Sequence, residues 1–252
     1  MTDTAPMQTA AATGAAMEEA VSLFMLHPQT FADSVAAGYQ NPLAGYVAGR
    51  GGVLGEATGV TVAAVFTVFE PTTLAAMWDE GVAVRGAAGA AQVYWEQTAE
   101  FARRHLRGVD GLERLAALGE KLIAAAPTGG LALFAGWRAM PRAADAPARA
   151  LQVMFVLREL RAAVHFHALM FAGISAVEAH MLNKGAQYTA MFGWAEPFAD
   201  GADKKDAYAD AEEQTDRWMA QLSAAVLDTA QAEELARLAG AALAAMQASL
   251  AG

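Results

Sequence analysis

"LRELRAAVHFHALMFAGISAVEAHML", residues 157–182, decides how this chain folds. It is mostly apolar, with no acidic or basic residue between Arg161 and Glu178. It nevertheless carries His165, His167 and His180, three of the five histidines. A helix turns by about 100° per residue, so side chains at i, i+3 and i+7 share a face. Arg158, Arg161 and His165 have that spacing, and Met154, Leu169 and Ala172 extend their face. Leu157, Leu160, Val164, His167, Phe171, Ile174 and Glu178 form the opposite stripe. A long, buried central helix is expected.

His165 and His167 therefore point to opposite sides and cannot chelate one metal together, which takes i, i+3 or i, i+4 spacing. On a continuous helix His167 and Glu178 lie about 16 Å apart. On its apolar stripe, His167 reads as a core histidine with a hydrogen-bond partner. His180 reads as a dipole partner at a helix end, or as solvated. Arg158 and Arg161 can pair with Glu159 or with acids on another helix. His165 shares its face with two cations, which discourages its own protonation. A neutral imidazole beside guanidinium groups suits an anionic or carbonyl-bearing ligand.

The chain has 252 residues, 55% of them apolar, with alanine supplying much of the excess. Alanine loses no side-chain entropy in a helix, and prolines are few, so an all-α multi-helix bundle is expected. Residues 1–14 read as a disordered lead-in and 15–252 as one helical domain. Helices are expected over 15–27, 30–39, the segment ending at Arg50 before Gly51-Gly52, the apolar 57–69 segment, Pro71 to Trp78, 91–107 and 112–126. Asp110 and Glu113 sit at capping-box spacing. Two closing helices cover 207–227 and 230–250, and a homodimer through them is one expected assembly.

The net charge of −10 disfavours nucleic acid, because no compensating basic run is present. With no cysteine, thiol nucleophiles, disulfides and thiolate metal sites are excluded. No secretory leader pattern and no apolar run of about 20 residues is found, so a cytoplasmic protein without membrane spans is expected. GxGxxG, P-loop, GxSxG and HExxH patterns are missing.

Several segments in order, "YVAGRGGVLG", "VFTVFEP", "PTGGLALFAGWRAMPRAADAP", "LRELRAAVHFHAL", "AGISAVEAHML", "FGW" and "EEQTDRWMAQL", resemble a poorly characterised actinobacterial group of helical proteins described as MarR-like or helix-turn-helix. The resemblance covers roughly residues 40–245. Its recurring polar positions fall on Arg50, Arg158, Glu159, Arg161, His165 and Glu178. The group tends to carry histidine where this chain has Leu160 and aspartate where it has Ala163. Its winged-helix segment is here shortened to the acidic "AEPFADGADKKDAYADAEEQ", which leaves little room for a recognition helix and wing.

These readings combine into a small-molecule protein of specialised metabolism, binding a largely apolar ligand with an anionic or carbonyl group. The expected ligand-binding set is Arg50, Arg158, Arg161, Phe69, Met154 and Leu169. His165 and Glu178 are the expected acid/base pair if the site is catalytic, a question the sequence leaves open. A MarR-like transcriptional regulator is one alternative. A haem or metal protein is another, since axial ligation by His165 or His167 needs only one histidine.

Overall fold

A computed structural model describes residues 4–251. Among them there are twelve α-helices and no strand. In chain order these are α1 (Thr4–Met25), α2 (Pro28–Ala36), α3 (Pro42–Gly51), α4 (Gly59–Phe66), α5 (Pro71–His105), α6 (Leu112–Ala125), α7 (Ala132–Ala139), α8 (Ala146–Phe171), α9 (Ala176–Asn183), α10 (Ala186–Met191), α11 (Lys205–Val226) and α12 (Thr229–Ala251). The expected all-α bundle is what forms.

Local chemistry sets most helix starts. Proline in the first turn opens α2, α3, α5 and α8, where its missing N–H costs nothing. The side chains of His27, Asn41, Glu70 and Asp145 accept from the free backbone N–H groups there. Glu70, bonded to the Thr72 and Thr73 amides and the Thr73 hydroxyl, has its carboxyl held down at about 2.

α8 runs through the middle. Every residue from Ala150 to Leu157 is buried, so its first half has no solvent face. It packs on α1, α5, α6, α7 and α11. One hydrophobic cluster runs from Ala16 of α1 to Met246 of α12, with Tyr94, Trp95, Trp137 and Phe155 at its aromatic centre. α3 lies against α5 at glycine contacts. A Cβ on Gly81 would sit 2.4 Å from the Ala44 carbonyl oxygen, so only glycine allows that approach.

Several expectations need correcting. α1 begins at Thr4, so residues 4–14 are helical rather than a disordered lead-in; residues 1–3 lie outside the described residues. The expected helices around Trp78 and over 91–107 form one element, α5, kinked at Gly86 (φ 68°, ψ 166°). The N-cap of α6 is Gly111 with no side-chain bond, so Asp110 and Glu113 form no capping box. α8 ends at Phe171, and Gly173, with φ of 68°, lets the chain bend by 112° into α9. Glu178 therefore does not continue the stripe of His167. The shortened 194–215 segment is loop, a 3₁₀ turn and the start of α11. No single helix among the described residues is long and apolar enough to cross a membrane.

Candidate functional site

The second half of α8 turns Arg158, Arg161 and His165 toward α1 and α11. They line a cavity of about 150 Å³, whose remaining wall comes chiefly from α1, α3, α9, α10 and α11. That is room on the order of ten waters, at roughly 10–15 Å³ each. Arg50 and Leu169 line it too. Phe69 and Met154 do not. Phe69 stands behind two lining rings, Phe192 (centroids 4.3 Å apart) and Tyr46 (6.2 Å). Met154 is fully buried in the core.

One polar cluster centres on Glu159, which is 1% exposed. Its carboxylate accepts from Arg50 Nε at 2.9 Å and Nη2 at 2.8 Å, a bidentate pair, and from Arg158 Nη1 at 3.0 Å. Burial alone would push this carboxyl up, but the two guanidiniums outweigh it and hold it below its ordinary value. Arg50 also donates to the Tyr46 hydroxyl at 3.2 Å and lies 4.6 Å over the Phe66 ring. Arg50 is thus a carboxylate clamp, but the carboxylate is the protein's own rather than a ligand's. Arg158 differs: beyond Glu159 its Nε and Nη2 have no protein hydrogen-bond partner among the described residues. Tyr46 and Tyr188 line the cavity, and burial pushes the Tyr188 hydroxyl pKa up, with Tyr46 adding to the rise and Arg158 opposing it. Behind them the buried Tyr94 hydroxyl has no partner.

A second cluster lies farther along α8. Arg161 Nη2 donates to Glu212 at 2.9 Å and Asp216 at 3.1 Å, and Nη1 is 3.6 Å from Glu18. Gly14 gives this side chain room, because a Cβ there would sit 2.8 Å from Arg161 Nε. The Thr215 hydroxyl donates to the Ala211 carbonyl at 2.8 Å, so its oxygen is left to accept from His165 Nδ1 at 3.2 Å. That bond fixes the proton on Nδ1 and leaves the lone pair on Nε2, 3.5 Å from Glu212 Oε1. Burial pushes the His165 pKa down, partly opposed by Glu212 and reinforced by Arg161. The imidazole is neutral at pH 7, with an accepting nitrogen beside a carboxylate. Chemically it is a base.

The other expected residues fall elsewhere. Glu178 does not line the cavity. It caps α9 in a capping box with Ser175 and pairs with Lys204 at 2.8 Å, which together hold its carboxyl at about 2. A group so strongly held ionised is poorly suited to acid/base work near neutrality. His167 is exposed, not core, with its Nδ1 donating to the Ala163 carbonyl at 2.7 Å. His180 is buried, neither solvated nor a dipole partner. Its Nε2 donates to the Val68 carbonyl at 2.8 Å and its ring packs on Phe192, pinning α9 to the wall of the cavity. No group of three or more His, Asp or Glu able to hold a metal occurs among the described residues. Of the two histidines considered for haem, only His165 lines the cavity.

Residues not singled out from sequence are Tyr46, Tyr188, Glu18, Thr215 and Asp216. Tyr46 stands four residues before Arg50, a helical contact the sequence does carry. Glu212, Thr215 and Asp216 share a face of α11 by the same spacing, but nothing local names α8 as their partner.

The profile of a family described as a helix-turn-helix family matches residues 10–251. The chain belongs to that family. No curated protein and no solved structure matches it. Membership in a helix-turn-helix family brings nucleic-acid binding back as a reading, against the expectation drawn from charge.

Proposed function

We propose that this helix-turn-helix family chain binds a small molecule in the cavity beside α8. The ligand is largely apolar and carries an anionic or carbonyl group that Arg158 receives. The observation that carries this reading is the partly shielded guanidinium of Arg158, with Nε and Nη2 unpaired beside a partly open cavity lined by Tyr46, Tyr188 and Phe192. Apolar walls with a few convergent polar groups are the usual make-up of such sites. Arg50 supports the site rather than touching the ligand, because its side chain is 2% exposed and each of its three nitrogens already donates to Glu159 or Tyr46. Should the site be catalytic, His165 is its base, with Glu178 serving only the fold. A place in specialised metabolism fits such a ligand and stays part of this proposal. Thermal-shift measurements with a series of medium-chain and aromatic carboxylates test it. Several should raise the Tm of the wild type and not that of Arg158→Met. If no member of the series moves the wild type, the reading fails.

Family membership favours a second reading, a DNA-binding regulator whose cavity senses the ligand. A gel shift on the chain's own promoter, weakening steeply with salt, supports it. Binding absent at low salt removes it.

A further inference from the structure

The two polar clusters along α8 have opposite character. Near Arg158, two guanidiniums share one carboxylate, Glu159. Near His165, three carboxylates, Glu18, Glu212 and Asp216, share one guanidinium, Arg161. One end of the cavity is therefore cationic and the other anionic; of the three carboxylates Glu18 is itself part of the lining, and Glu212 and Asp216 stand behind Arg161. Between them the lining is apolar, including Met17, Leu157 and Phe192. Arg158 and His165 are seven residues apart on one helical face, about 10.5 Å along the axis.

The anionic end also shows an unusual local arrangement. His165 Nε2 and Glu212 Oε1 are 3.5 Å apart, and both are acceptors because Nδ1 keeps its proton and donates it in a hydrogen bond to Thr215. The Tyr208 hydroxyl donates to Glu212 Oε1 at 3.2 Å but gives nothing to the imidazole. Two facing acceptors call for a donor between them. Glu18 lines the same end of the cavity and is 47% exposed, so its carboxylate is not locked away by Arg161.

We infer that the ligand is amphoteric, with a carboxylate or similar anion at Arg158 and a protonated amine, roughly 10 Å away, at the Glu18–His165–Glu212 end. This rests on the small-molecule reading above and sharpens it. An ammonium supplies the donor that His165 Nε2 lacks, adds a charged one to Glu212 Oε1 beside the Tyr208 hydroxyl, and offsets the surplus of carboxylates. A purely anionic ligand of the same length leaves that end unmatched. A purely cationic one leaves Arg158 unmatched.

Isothermal titration with octanoate, ω-amino-octanoate and octylamine tests this on the full chain. The amino acid should bind at least about tenfold more tightly than either single-headed compound, the size of one charged hydrogen bond. Glu18→Gln should remove that advantage while leaving octanoate binding no weaker. Glu212→Gln, which keeps a partner for Arg161 and Tyr208, should do the same, with melts confirming that both variants fold. If octanoate binds as tightly as ω-amino-octanoate, or if both variants keep the full advantage, the amphoteric ligand is wrong and the small-molecule site survives. If none of the three compounds binds, this inference is wrong, and the reading beneath it falls too only if the whole carboxylate series also leaves the wild-type Tm unmoved.

Discussion

Glu159→Leu should be among the most damaging single substitutions in this protein. Glu159 and Arg50 are 1% and 2% exposed, and they hold α8 to α3 across 109 residues of sequence. Without the carboxylate, Arg50 is a buried cation whose remaining partners are a hydroxyl and the face of Phe66, and Arg158 loses its anion. Breaking a buried pair by removing one partner costs about 3–5 kcal/mol. In a chain of this size that lowers Tm by roughly 6–20 °C. The double variant Arg50→Met with Glu159→Leu should recover most of the loss, because an apolar pair of similar volume carries no desolvation penalty. Urea unfolding and circular dichroism melts of both variants measure the difference. A single variant within about 1 kcal/mol of wild type, or a double variant no better than the single, would refute the reasoning. Acid supplies a parallel test. The guanidiniums hold the Glu159 carboxyl below its ordinary value of 4.5, so its contribution is fully present above that pH. It is lost as pH falls through the lower, folded value.

Glu178→Ala should cost about 1 kcal/mol through loss of the α9 cap, with octanoate affinity unchanged; a large fall in affinity would return Glu178 to the site. Glu70 and Glu178, both held at about 2, should contribute stability that is complete above pH 4.5 and disappears as pH falls toward 2, and Gln at both positions should flatten the acid limb of the Tm profile. Gly81→Ala should destabilise by about 1–3 kcal/mol or more, because the new Cβ meets the Ala44 carbonyl oxygen at 2.4 Å. Gly240→Ala, inside α12 with nothing within 4 Å, should stabilise by about 0.5–1 kcal/mol in the same unfolding assay.

What could be read from the sequence was what depends on near neighbours. Helical spacing alone placed Arg158, Arg161 and His165 on one face, and that face lines the cavity. The errors came from partners far along the chain. His180 can be buried because the Val68 carbonyl, 112 residues away, accepts its N–H hydrogen bond. His167 sits on an apolar stripe, yet over the last turns of α8 that side faces solvent, with Phe171 82% exposed, while Ala168 and Leu169 beside it are buried. Glu178 looked functional because it occupies a recurring polar position; its Ser175-x-x-Glu178 spacing already spelled a capping box. The first three turns of α1 have no fully buried residue. Such a stretch gives no hydrophobic pattern to read, though its alanines favour a helix. For Arg50 the type of contact was legible and the identity of the carboxylate was not.

A tryptophan placed in the cavity shows whether the ligand sits there. Ala162 lines it from α8 and is half-buried, so Ala162→Trp can fill it with little cost to the core. Titration of ω-amino-octanoate into wild type should saturate at one molecule per chain, and the tryptophan variant, if it melts near wild type, should give no binding heat. Undiminished binding to that folded variant would place the ligand elsewhere and contradict the account.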